Sequence, residues 1–202
     1  MLAVHPFWKV DIALQRKDPH MADASTPLTG KKVAFLLTRG VEQVELTSPR
    51  AALDEAGATT AIVSPSKDTL QAMEGDWTHA ESFPVDVPVE QASVADYDAL
   101  VLPGGTLNAD ALRTNAEAVA LVKAFFDADK TVAAICHAPW ILAEAGVAKD
   151  RRLTSFTSTK VDLENAGARW VDEEVVVDGN LITSRNPGDL DAFNAAIREA
   201  LA

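Results

Sequence analysis

Residues 131–146 read TVAAICHAPWILAEAG. The run Thr131–Cys136 is apolar after its first residue and too short for a helix, so it reads as a buried strand. From Ala138 to Ala145 the pattern reads as a short helix, with Gly146 in the position that ends helices. Cys136, the only cysteine of the chain, ends the strand, and His137 follows it ahead of the helix. Two readings of Cys136 stand open at this point. A free cysteine at the end of an apolar strand can be a small buried hydrophobe. Alternatively, it is a nucleophile close to a helix N-terminus, with an imidazole beside it to take its proton. Strand alternation would point the two side chains apart, so the second reading requires a tight turn.

Outward from this unit the alternation of strand and helix repeats. VAFLL (33–37) and TTAIVS (59–64) are strands, separated by a helical stretch over 41–56 that Gly57 ends. Pro49 lies inside that stretch and predicts a kink or a restart, with Ser48 as cap. Residues 65–96, rich in prolines and aromatics, read as an edge hairpin or loops. YDALVLPGG (97–105) is a strand entering a glycine turn, followed by helix over 107–128. EVVVDGNLITS (174–184) holds two β-rich runs around Asp178-Gly179-Asn180, a hairpin signal. NPGDLDAFNAAIREALA (186–202) opens with an Asn186 cap and Pro187 and continues as an amphipathic helix. The order predicts a three-layer α/β sandwich with a mostly parallel sheet. Such sheets bind at the carboxyl ends of their strands. There the sequence places Arg39-Gly40 with Glu42 and Glu45, Gly104-Gly105, and Cys136-His137. The amides of Gly104, Gly105 and His137 are expected to face a developing oxyanion.

The 202 residues include 18 basic and 30 acidic ones, a formal charge of −12, and 48% hydrophobic residues. That fits a single globular domain. The acidity argues against nucleic acid and anionic membrane as partners. One cysteine forms no internal disulfide, and a reducing cytoplasm is the expected compartment. No run reaches membrane-spanning length, and Asp11 interrupts the N-terminal apolar residues, so no signal peptide is read. Residues 1–29 carry three basic and three acidic side chains, which leaves 15 and 27 for the rest. They read as an N-terminal extension ahead of one domain over 30–202, and Met21 as an alternative start. His5 and His20 lack a third ligand, and His79 reads as a surface or core histidine, so no metal site is expected. No GxSxG, GxGxxG, GxxxxGK[ST] or HExxH motif is present, and no cofactor is expected.

AAICHAPWILAEAG (133–146), preceded by YDALVLPGG and followed by LTSFTSTKVDLENAGARWVDEEVVVDGNLITSRNP (153–187), resembles the ThiJ/PfpI family of intracellular-protease-like stress proteins over about residues 31–200. The resemblance implies a flavodoxin-like α/β sandwich related to class I glutamine amidotransferases, with Cys136 as nucleophile and His137 as its acid/base. It implies that Glu45, in GVEQVEL (40–46), hydrogen-bonds the cysteine, which requires a protonated carboxyl. It further implies that Asp110, in GGTLNADALR (104–113), orients the histidine of a neighbouring subunit, hence a homodimer or higher oligomer. Ala138 stands where the family usually has glycine. The function expected on these grounds is a cysteine-dependent stress hydrolase, an intracellular peptidase or glyoxal-adduct deglycase acting on a peptide or small molecule. The alternative is a redox-sensing or chaperone-like stress protein with an oxidisable Cys136.

Overall fold

A computed structural model describes residues 26–202. The readings of residues 1–20, Met21, His5 and His20 lie outside the described residues. Eleven strands and six helices follow in chain order. The first are β1 (Lys32–Leu36), α1 (Gln43–Glu55), β2 (Thr59–Ser64), β3 (Thr69–Glu74), β4 (Thr78–Pro84) and β5 (Val87–Pro88). Then come β6 (Ala99–Leu102), α2 (Thr106–Arg113), α3 (Ala116–Asp127), β7 (Thr131–Ile135) and α4 (Trp140–Glu144). The chain closes with β8 (Arg152–Leu153), α5 (Lys160–Asn165), β9 (Arg169–Trp170), β10 (Val175–Asp178), β11 (Leu181–Ser184) and α6 (Leu190–Leu201).

Seven strands form the main sheet in the order β10-β11-β7-β6-β1-β2-β5. All pairs are parallel except the β10–β11 hairpin, which forms at the expected Asp178–Asn180 turn. The central strands are apolar throughout because both faces are covered. Val33 and Phe35 of β1 pack with Val101, Ile135, Leu46 and Phe193 on one face. Ala34 and Leu36 pack with Leu100, Leu102, Phe125 and Leu142 on the other. Helices α1 and α6 therefore cover one face, and α3 with α4 the other. The strand order reverses direction between β1 and β6. That reversal opens a crevice at their carboxyl ends.

Three details differ from the sequence reading. The stretch 107–128 is two helices, because Asn115 starts α3 anew by accepting the Ala118 N–H at 2.8 Å. Helix α1 runs through Pro49 as one element, and Ser48 accepts from Asn194 Nδ2 of α6 at 2.9 Å instead of capping a restart. Residues 69–84 do form a hairpin, β3–β4, as one of the two expected forms, but it is a separate two-stranded sheet and not an edge of the main one. Among the described residues no helix is long and apolar enough to cross a membrane.

Packing extends N-terminal of β1. Leu28 is fully buried in the β1–α1–α6 layer, and its N–H donates to the Ala56 carbonyl at 2.9 Å. Leu28→Ala is expected to lower the unfolding free energy by about 2–5 kcal/mol in urea titration. An unchanged midpoint would show that the core does not need this residue.

Candidate active site

Strand β7 ends at Ile135, and at Cys136 the backbone turns into the left-handed region, φ +64°. The turn is held by the Cys136 N–H donating to Ser184 O at 3.1 Å and the Phe156 N–H donating to Cys136 O at 2.8 Å. It brings the neighbouring side chains together: Cys136 Sγ lies 3.2 Å from His137 Nδ1. Both residues are 7% exposed. The expected helix N-terminus is not what faces the sulfur, because α4 begins only at Trp140. The backbone N–H groups of Gly105 and His137 do so instead.

Glu45, fully buried in the first turn of α1, accepts the Gly104 N–H on Oε2 at 2.8 Å, and its carboxyl also contacts the Cys136 thiol. Its other oxygen, Oε1, has no hydrogen-bonding partner among the described residues. Burial raises Glu45 to about 8. The carboxyl therefore keeps its proton at neutral pH, and Oε1 is where an O–H can sit. Burial also pushes the Cys136 thiol up, an ionised Glu45 would push it further, and the Gly105 and His137 amides oppose both. Protonation of Glu45 removes the repulsive contribution.

The glycines are required by crowding. A Cβ on Gly104 would sit 2.5 Å from Glu45 Oε2 and 2.7 Å from Cys136 Cβ. Gly105 has φ +89°, and a Cβ there would meet Glu42 N at 2.6 Å. Buried Asn108 clamps this junction. It accepts the Thr38 N–H at 2.7 Å and donates to the carbonyls of Pro103 and Gly104 at 2.9 Å each. Because the Gly104 N–H is engaged by Glu45, Gly105 and His137 are the two amides left to face an oxyanion.

His137 has further partners that the sequence did not announce. Nε2 lies 3.0 Å from Ser158 Oγ and 3.4 Å from Thr106 Oγ1. Thr106 is held by Asp76, whose Oδ2 accepts the Thr106 hydroxyl at 2.6 Å and whose Oδ1 accepts the Thr106 N–H at 2.8 Å. Phe156 stacks on the imidazole at 4.5 Å between centroids, and Trp140 meets its edge at 5.6 Å. Burial lowers the His137 pKa, and the nearby Asp76 charge raises it. Asp76 sits at the tip of the β3–β4 hairpin with φ +65°. The hairpin is stitched to the β1–α1 loop by Gly40 N–H to Gln71 O, Met73 N–H to Val41 O, and Gly75 N–H to Glu42 Oε2, each at 2.8 Å.

Of the acids read from sequence, Glu45 reaches the cysteine and Asp110 does not reach His137 of its own chain. Asp110 is exposed on α2 and lines a neighbouring cavity with Arg39 and His79. Among the described residues no cluster of three or more His, Cys, Asp or Glu side chains is placed to hold a metal ion.

A parallel sheet covered on both faces, with the cysteine on a strained turn at its carboxyl edge, defines a flavodoxin-like α/β protein. The DJ-1/PfpI family model matches residues 31–200, and the chain belongs to that family. An uncharacterized protein of Staphylococcus haemolyticus is 44% identical over 173 residues, covering 85% of this chain and 98% of that one. Drosophila melanogaster DJ-1beta matches with a TM-score of 0.77 at 32% identity, over 85% of this chain and 90% of that one. A two-domain Anabaena variabilis protein, containing DJ-1/ThiJ/PfpI-like and ferritin-like domains, matches with a TM-score of 0.79 at 36% identity over 85% of this chain. The match covers 48% of the Anabaena chain, so this chain spans about half its length.

The Glu45 proton has a consequence for stability. The unfolded carboxyl titrates near 4.5, the folded one near 8. Between these values the folded state holds the extra proton, so stability falls as pH rises and levels off above the upper value. Glu45→Gln removes this dependence. Relative to the parent its stability should gain as pH is raised from 5 to 8, by at most about 1.4 kcal/mol per pH unit. A difference independent of pH would contradict a protonated Glu45.

Proposed function

We propose that the protein is a cysteine-dependent hydrolase acting on the carbonyl carbon of a peptide or of a glyoxal adduct. The observation that supports this most directly is the 3.2 Å approach of Cys136 Sγ to His137 Nδ1, with the Gly105 and His137 amides facing the same sulfur. For an amide substrate, Nδ1 takes the thiol proton as the sulfur–carbon bond forms. The carbonyl oxygen becomes an oxyanion held by the two amides. The intermediate then collapses with cleavage of the carbon–nitrogen bond, and the leaving amine takes the proton back from His137. Water, deprotonated by His137, releases the acyl group and restores the thiol. A glyoxal adduct would share the first step, attack of sulfur on the carbonyl carbon.

With Nδ1 accepting, Nε2 carries the one ring hydrogen, shared between Ser158 Oγ at 3.0 Å and Thr106 Oγ1 at 3.4 Å, while the Thr106 hydroxyl donates to Asp76. We therefore assign Asp76 as the positioning residue for His137, acting through Thr106, in the place that the resemblance gives to Asp110 of a second subunit. The imidazole and the two amides facing one sulfur favour this reading over a redox sensor, which needs neither a proton acceptor nor an oxyanion site. The domain reading is carried forward in the same way: one catalytic domain over 30–202, with Leu28 ahead of it packed into its core, working in the reducing cytoplasm.

Peptide and methylglyoxal-adduct turnover should fall by about a thousandfold or more in Cys136→Ser. Undiminished turnover would exclude the mechanism. Asp76→Asn should cut kcat/KM by about tenfold. Because the Asp76 charge raises His137, it should also move the acidic limb of the pH profile to lower pH. If Asp110→Asn does this and Asp76→Asn does not, the orienting acid comes from a second copy of the chain.

A further inference from the structure

The pocket over Cys136, about 280 Å³ in volume, has an uneven charge around its mouth. Its wall includes Phe156 and Pro187 on the apolar side, and Glu42 and Asp76 on the other. Both acidic residues are partly exposed, and no lysine or arginine among the described residues lines the cavity. Arg185, close in sequence to Pro187, is turned away and engaged by Asp172 and Asp189 at 2.8 Å each. The third carboxyl of the wall, Glu45, is neutral at pH 7 and adds no charge. Glu42 and Asp76 are not free to fold back, because Glu42 accepts the Gly75 N–H and Asp76 holds Thr106.

We propose that this pocket selects substrates carrying a positive charge, an ammonium or guanidinium group close to the reacting carbonyl, with Glu42 and Asp76 as the selecting carboxylates. A carboxylate-bearing substrate would meet two like charges and no counter-ion. A cationic one would meet two attractive charges in a partly desolvated mouth, where each is worth more than in water. The net charge of −12 acts in the same direction over longer range. The inference rests on the proposed nucleophilic role of Cys136, but its test needs no turnover.

Because Cys136 is the only thiol, its labelling rate can be followed with three methanethiosulfonates of similar size, one cationic, one neutral and one anionic. Rates on the native protein at pH 7 are normalised to those with 2-mercaptoethanol, a neutral thiol. The expected order is cationic, neutral, anionic, spaced by about tenfold per unit charge. In Glu42→Gln, which keeps an acceptor for Gly75, the spacing should shrink several-fold. Raising salt from about 10 mM to 1 M should compress it in the parent protein, a readout that does not depend on the variant folding. Equal cationic and anionic rates, or no labelling by any reagent, would overturn the proposal. Charge selectivity without turnover on any substrate would sustain it and overturn the hydrolase reading instead. Turnover with equal preference for lysine-bearing and glutamate-bearing substrates would overturn the selectivity alone.

Discussion

At Cys136 the backbone takes φ +64°, a conformation that costs an L-residue about 1–2 kcal/mol and persists only where its surroundings hold it. Two backbone hydrogen bonds do so, to Ser184 of β11 and from Phe156 in the loop after β8. If β7 simply continued, the thiol and the imidazole would stand on opposite faces of the sheet. The rest of the site follows from this reversal. Gly104 must lack a Cβ because that of Cys136 occupies the space, and Phe156 is delivered to the imidazole by the same bond that holds the turn.

The electrostatics of the pocket form a graded series of burial. Glu45 is fully enclosed and remains an acid up to about 8. Cys136 and His137 are nearly enclosed, and burial favours the neutral form of each. Glu42 and Asp76 lie at the mouth, both partly exposed, and the lesser burial there still raises Glu42 somewhat. The neutral trio lies inside and the charged pair at the rim. In the proposed reaction, proton transfer from Cys136 to His137 would create an ion pair where burial favours both groups neutral.

Most of the fold was legible because the central strands are apolar on both faces, and such runs leave few alternatives. β2 coincides with the segment read from sequence, and β1, β6 and β7 differ from theirs by a residue or two. The break between α2 and α3 was not legible, since apolar residues continue across it and only the Asn115 cap marks it. In the candidate site, Gly104, Gly105, Cys136 and His137 were legible at strand ends and Glu45 through the family resemblance, and the structure brings them together. Asp76, Thr106, Ser158 and Phe156 were not legible. Asp76 lies in an irregular, proline-bounded region, and its link to His137 passes through a threonine hydroxyl 31 residues from the histidine. The Gly75-Asp76 turn was the one local mark it left.

The β3–β4 hairpin shares no strand pairing with the main sheet and is joined to it through the β1–α1 loop. The nucleophile, its amides and Glu45 all belong to the sheet and its immediate turns, whereas Asp76 arrives on the hairpin tip and Glu42 is braced by it. The architecture thereby divides labour between an anvil built into the sheet and a jaw hung beside it. Apart from Asp76, residues 69–84 can change the mouth of the pocket while Cys136, His137 and Glu45 stay fixed by the sheet and its turns. The mouth is thus hung on a ribbon that can be rebuilt while the floor of the pocket keeps its shape.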